Sequence, residues 1–287
     1  MAVICYVCGC SNWDQRSGAL RDAPSVGIIE CSNCGLVTPD GTHPVKINYA
    51  AGSMHGTGTL DVAQSRVESY QDDSRRVCAI LDLVDEGETV LDIGCGAGGF
   101  IHGLKRSGVS AVGLELDEAA SAALSSEGVD IWSQLENMPE EIRAKVRIVS
   151  MFHVLEHLQD PRDFLKEIHE ALPNLRLLVV EIPCSEDPLL ALYECQAFSQ
   201  FTYWSHHEHL HSKRSLELLL SSVFDSFNVE RLQRYGLGNH LGWLAKGKPG
   251  GQLVMPWAQG TQVDAEYRTA IIAQDFSDSL WAVCTIQ

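Results

Sequence analysis

Three groups of residues in this chain have the types and spacing to do chemistry. The first is a pair of Cys-x-x-Cys turns, Cys5/Cys8 and Cys31/Cys34, each followed by glycine in "CYVCGC" and "CSNCGL". Zinc favours four thiolates in a tetrahedron, and each turn presents two sulfurs on one tight knuckle. The four therefore read as a structural Zn²⁺ site with no position left open for reaction. The 22 residues between the pairs slightly exceed the usual ribbon spacing, an excess a β-hairpin absorbs. Cys10 competes as a ligand, and a redox role for one pair is the alternative.

The second group is "VLDIGCGAGGF", residues 90–100. An apolar run ends in Asp92 and turns through Gly94, Cys95, Gly96, Gly98 and Gly99, where glycines permit positive φ and a close approach to a ligand. The helix N-terminus that follows offers free N–H groups to a carboxylate or a phosphate. Asp92 can accept from an ammonium group or water, and Glu115, about twenty residues on, stands where an acid grips both ribose hydroxyls. Spacing alone leaves a dinucleotide site open. The third group is "TYWSHHEHLHSKRSL", with His206, His207, Glu208, His209 and His211 beside Tyr203 and Trp204. Imidazole and carboxylate suit proton removal near neutral pH, with His209 as base and Glu208 orienting it or the acceptor. A second metal site or a polar loop of satisfied histidines are the competing readings.

Positioning these groups requires a scaffold, and the pattern around them predicts one. "ETVLDIG" (88–94), "SAVGLE" (110–115), "VDIW" (129–132), "VRIVSMF" (146–152) and "LRLLVVEIP" (175–183) are apolar runs of the kind buried on both faces. Helical stretches, two of them closed by glycine, alternate with the runs and predict a doubly wound α/β fold with a mostly parallel sheet. A helix over 62–84 leads in. Two late strands, "FNVERLQRYG" and "LWAVCTIQ", are expected to pair antiparallel. The domain reading is a zinc-ribbon module at 1–45, a Gly-rich connector at 46–61 and a main domain at 62–287. Insertions fall at 184–212 and 247–279, the latter expected to add a loop and helix that cap the acceptor pocket.

Composition bounds the partners. The 287 residues carry 21 Lys and Arg against 38 Asp and Glu, a formal charge of -17, which disfavours nucleic acid as substrate. No run approaches a membrane span, and "MAVICYVCGC" has neither the basic start nor the apolar core of a signal peptide. The expectation is a cytoplasmic protein whose cysteines stay reduced.

"LDIGCGAGGF" resembles the first motif of class I S-adenosylmethionine-dependent methyltransferases. "GLELD" (113–117) is similar to their second motif, and "FHVLEHLQDP" (152–161) to a fourth-strand segment of a large subgroup. The resemblance, over about residues 70–183, implies a seven-stranded sheet, S-adenosylmethionine as cofactor with its amino-acid end near Gly94 to Gly98, and ribose on Glu115. Leu116, Gln134, Leu135, Phe152 and His153 would complete the cofactor pocket, and Glu156 and His157 would fix their own loop. A narrower resemblance is to zinc-ribbon C-methyltransferases of nucleotide-linked deoxy-keto-sugars, whose Tyr-His-Glu-His segment matches Glu208 and His209, with His206 in place of the Tyr. That family's usual large C-terminal domain has no counterpart in this sequence. Zinc-ribbon methyltransferases of glycan and secondary-metabolite pathways, O-methylating ones included, share the remaining features. The implied reaction is methyl transfer to a small sugar-like or secondary-metabolite acceptor. Its rivals are methylation of a protein or RNA, or a non-catalytic cofactor-binding scaffold.

Overall fold

The computed structural model describes residues 3–41, 60–258 and 260–286. Most of the expected connector at 46–61 lies outside the described residues. Near the amino terminus, β1 (Trp13–Leu20), β2 (Ala23–Cys31) and β3 (Val37–Pro39) form an antiparallel sheet in the order β1-β2-β3. The second sheet is built from β4 (Thr89–Ile93), β5 (Ser110–Leu114), β6 (Ile131–Trp132), β7 (Val146–Phe152), β8 (Leu177–Pro183), β9 (Ser226–Leu232) and β10 (Ser279–Thr285). It has seven strands in the order β6-β5-β4-β7-β8-β10-β9. Six run in one direction, β4 to β8 in parallel pairs and β9 with them, and β10 runs antiparallel to both β8 and β9, as the late-strand pattern predicts.

Strand alternation sends successive side chains to opposite faces, and each face finds its own helices. On one side Val90, Ile148 and Val179 pack with Val77 and Ile80 of α1 (Val62–Leu81), Ile101 and Leu104 of α2 (Gly99–Arg106) and Leu124 of α3 (Glu118–Ser126). On the other, Leu91, Ile93, Val149, Met151, Leu178 and Val180 pack with Leu165 and Ile168 of α5 (Pro161–Ala171). Leu216, Leu219 and Leu220 of α8 (Lys213–Ser221) complete that side. A short α4 (Glu140–Arg143) lies between β6 and β7. Local chemistry sets the helix ends. Asp61, Asp117, Asp160 and Ser212 each accept from a backbone N–H of the first turn of α1, α3, α5 and α8. Gly108 and Gly128 follow α2 and α3 with φ of 83° and 78°.

The 184–212 segment carries α6 (Pro188–Ala191) and α7 (Gln196–Thr202). Between β9 and β10 come α9 (Leu237–Lys246), α10 (Gly251–Val254) and α11 (Gln262–Ala273). No helix among the described residues is long and apolar enough to cross a membrane.

Candidate functional site

Strand order reverses direction of growth at β4: the chain adds β5 and β6 on one side, then β7 and β8 on the other. Loops at the carboxyl ends of β4 and β7 therefore diverge and leave a crevice, the usual ligand position in such sheets. A cleft of about 560 Å³ occupies it. Gly94, Gly96, Glu115, Leu116, Gln134, Leu135 and His153 all line this cleft, joined by Asp117, Val154, His157 and Phe164.

The glycine turn is dictated by space as well as by φ. Gly94 has φ 70°, and a Cβ there would sit 2.5 Å from Val154 Cγ2. Gly98, the N-cap of α2 at φ 72°, would drive a Cβ into Leu124. Glu115 closes the turn from the neighbouring strand: Gly96 N donates to its Oε2 at 2.7 Å and Asp117 N to its Oε1 at 2.8 Å. Two backbone donors thus fix a carboxylate at the cleft edge in one orientation, with acceptor capacity left for a ligand hydroxyl.

Four expected cofactor contacts, Asp92, Cys95, Gly98 and Phe152, are not among the residues that line the cleft. Asp92 is not among the lining residues; it is buried and accepts from Ser150 Oγ at 2.7 Å. Burial pushes its carboxyl up to about 7, against the lowering effect of the Ser150 hydrogen bond. Phe152 packs edge-on to Phe100 at 5.0 Å, stacks on Trp281 at 5.7 Å and lies beneath the Arg76 guanidinium. Strand period explains both: Asp92 follows Val90 and Phe152 follows Ile148 onto the α1–α2 face. Cys95 is turned toward Gly113 and does not line the cleft.

Sequence reasoning missed the charged cluster on that face. Glu181 of β8 is fully buried and is met by Arg76 through Nε at 3.0 Å and Nη2 at 2.9 Å, and by Arg75 Nη2 at 2.9 Å. Arg234 pairs with Asp72, and its Nη1 lies 2.9 Å from His153 Nε2 at the cleft. Burial alone would raise the Glu181 carboxyl, but its hydrogen bonds to His153 and Arg76 hold it well below the usual range. The available signal was Glu181 itself, an acid two residues after Val179 in a strand whose other residues are apolar. His153 holds φ 58°, an uncommon backbone conformation for a residue with a Cβ. Burial disfavours its charged form, yet Glu156 and Glu181 outweigh this and raise its pKa.

The histidine segment is not where its sequence position suggested. None of His206, Glu208 and His209 lines the cleft. Residues 208–212 instead join the two sheets: Val37 and Leu210 exchange backbone hydrogen bonds at 2.9 Å, Thr38 Oγ1 donates to the Glu208 carbonyl, and Ser212 Oγ donates to the Cys34 carbonyl. The His209 ring lies tilted at 43° against Tyr6, centroids 4.5 Å apart, and His211 Nε2 lies 3.1 Å from the Tyr6 hydroxyl. Burial takes His209 down to about 4, so the ring is neutral at pH 7. His206 is buried against Trp204, ring centroids 3.8 Å apart. Backbone pairing with β3 pulls these rings toward the amino-terminal sheet, a non-local register that local sequence does not encode.

Cys5, Cys8, Cys31 and Cys34 converge, with all four Sγ atoms within 4.8 Å of one another. Cys5 and Cys34 are 3.6 Å apart and Cys8 and Cys31 3.5 Å. Zinc at about 2.3 Å from each sulfur needs tetrahedral edges of about 3.8 Å, so the four thiols fit that ion.

A methyltransferase domain family matches residues 68–223. Among curated proteins, 91 residues are 33% identical to a ubiquinone biosynthesis O-methyltransferase of Pseudomonas paraeruginosa, covering 29% of this chain and 39% of that protein. A Hahella chejuensis protein of the same name is 29% identical over 93 residues, covering 28% of this chain and 39% of its own. The match thus spans about two-fifths of these relatives' length. Among solved structures, a plantazolicin methyltransferase in complex with a triazolic desmethylPZN analogue and SAH superposes with TM-score 0.52 at 13% identity, covering 84% of this chain and 95% of that one. The Haloferax volcanii complex of a methyltransferase with its activator gives 0.51 at 15% identity, covering 78% and 95%. At such identities the likeness is one of fold. Because the family match takes in β4 to α8 with the glycine turn, Glu115 and the cleft between them, the chain belongs to the methyltransferase domain family.

Proposed function

We propose that this protein is an S-adenosylmethionine-dependent methyltransferase acting on a small sugar-like or secondary-metabolite acceptor, with O-methylation favoured over C-methylation. The observation that carries it is Glu115, pinned by Gly96 N and Asp117 N at the mouth of the glycine turn, beside a cleft of about 560 Å³. When bound, S-adenosylmethionine supplies an electrophilic methyl group. Gly94 and Gly96 would receive its amino-acid end, Glu115 its ribose hydroxyls, and Leu116, Gln134 and Leu135 its adenine. His153 and His157 line the same cleft and bring imidazole to the wall that would face an acceptor. Alignment of acceptor and donor does much of the work in such a displacement.

The curated relatives' names support a small-molecule acceptor and transfer to oxygen. The deoxy-keto-sugar C-methyltransferase resemblance loses weight, because the Glu208 carbonyl bonds to Thr38 of β3, the His209 ring lies against Tyr6, and neither residue lines the cleft. The amino-terminal segment is proposed to hold one structural Zn²⁺ on Cys5, Cys8, Cys31 and Cys34, and the charge of -17 is consistent with a cytoplasmic enzyme that does not grip nucleic acid. Calorimetry with S-adenosylhomocysteine tests the reading: saturable binding at one site is expected, and no heat at millimolar ligand removes it.

A further inference from the structure

Glu156, His157 and His207 each bring one atom able to ligate a metal within 4.8 Å of the others. Each is held there from behind. His157 ends the one-turn segment Leu155–His157; its Nδ1 lies 2.6 Å from the His206 carbonyl, which makes Nδ1 the protonated nitrogen, and its Nε2 lies 3.9 Å from Glu156 Oε1. His207 is fixed in the same manner, Nδ1 3.0 Å from the Thr202 carbonyl, and the two rings stand 5.1 Å apart. One ring nitrogen on a carbonyl and the other turned inward is how protein scaffolds orient histidine ligands.

Glu156 supplies the second observation. Its side chain is 1% exposed; His153 Nδ1 meets Oε1 at 3.3 Å, while the buried Oε2 has no hydrogen-bond partner. A buried carboxylate oxygen left unpaired is costly, and a bound cation would satisfy it.

We propose that Glu156, His157 and His207 bind a first-row divalent cation of the zinc type, at a site that opens on the cleft through His157. Two imidazoles and a carboxylate are the ligand set of metal sites that keep a coordination position for an outside oxygen, whereas the four cysteines make a closed one. Only the purpose of that open position rests on the methyltransferase reading: an acceptor hydroxyl coordinated there is oriented and made more acidic. The histidine-rich loop then serves the cleft through His207, although His209 does not reach it.

The test is Co²⁺ titration of the full chain carrying zinc on its cysteines, with bound metal counted by equilibrium dialysis. One Co²⁺ per chain is expected, giving weak visible d–d absorption without a near-ultraviolet thiolate band. Glu156→Gln and His207→Gln should each weaken it by roughly 100-fold or more, at least the loss seen when supporting residues of metal sites are removed. Zinc content and S-adenosylhomocysteine affinity, measured on the same samples, should match wild type and report that the variants are folded. No Co²⁺ uptake by the wild-type chain, or uptake indifferent to both substitutions, overturns the proposal. The two readings separate cleanly: S-adenosylhomocysteine binding without Co²⁺ sinks the cation site alone, and Co²⁺ binding without S-adenosylhomocysteine sinks the methyltransferase reading alone.

Discussion

Replacing Glu115 tests the cofactor geometry most directly. Its carboxylate accepts from Gly96 N at 2.7 Å and Asp117 N at 2.8 Å, and in the proposed complex from two ribose hydroxyls as well. Hydrogen bonds to a charged group contribute about 1.5–3 kcal/mol each. Glu115→Ala forfeits both bonds to the diol, about 3–6 kcal/mol, or roughly a 10²- to 10⁴-fold loss of affinity at 1.4 kcal/mol per decade. Glu115→Gln retains one acceptor and turns an NH₂ toward the other donors, so a loss of roughly 10- to 100-fold is expected. A collapsed glycine turn would also weaken binding, so affinity alone is ambiguous. A double comparison resolves this: wild type and both variants are titrated calorimetrically with S-adenosylhomocysteine and with its 2′-deoxy analogue. Wild type should discriminate against the analogue by roughly 10-fold or more, and Glu115→Ala should bind the two alike. Equal discrimination by wild type and Glu115→Ala would refute the ribose assignment, whatever the absolute affinities.

Asp92 gives a pH signature. Its folded value of about 7 lies above the ordinary 3.8, so its stabilising contribution is full below about pH 4 and is lost as pH rises to about 7. The loss is of order 4 kcal/mol at 1.36 kcal/mol per pH unit. The stability difference between wild type and Asp92→Asn, from urea unfolding without cofactor, should change across that window and be level above it; a difference constant from pH 4 to 8 contradicts the burial argument. His209→Ala removes a ring packed 4.5 Å from Tyr6, so it should lower the unfolding midpoint by an amount worth about 1–2 kcal/mol while S-adenosylhomocysteine affinity stays within threefold. Turnover collapsing at full cofactor affinity and unchanged stability would instead restore His209 as a base. Cys34→Ser should release the zinc measured by metal analysis and broaden thermal unfolding into two transitions; full zinc retention contradicts the four-thiolate assignment.

The fold was legible where pattern and chemistry agree locally. Continuous apolar runs marked the central strands, and the glycines after Ile93 marked the turn, because a buried strand and a positive-φ turn each restrict residue type on the spot. Helix α9 was not legible: "LGNHLGWLAK" carries two glycines that disfavour an isolated helix. Gly242 is needed there because a Cβ would fall 2.5 Å from Gly251 Cα of α10, so packing decides what propensity opposes. Strand β6 shrank to Ile131–Trp132 because it is the edge strand, bonded on β5 alone. The roles of Asp92 and Phe152 were recoverable in principle from period two, whereas the placement of His209 depended on a pairing with residues far upstream.

That long-range pairing also bears on how the chain is made. Thr38 and Glu208 are 170 residues apart, so a nascent chain exposes the open edge of β3 long before residues 208–212 leave the ribosome to cover it. Unpaired strand edges invite association with other chains. Any polypeptide released short of Leu210 keeps that edge bare, and premature termination anywhere in the intervening stretch should yield aggregates rather than a small soluble metal-binding fragment.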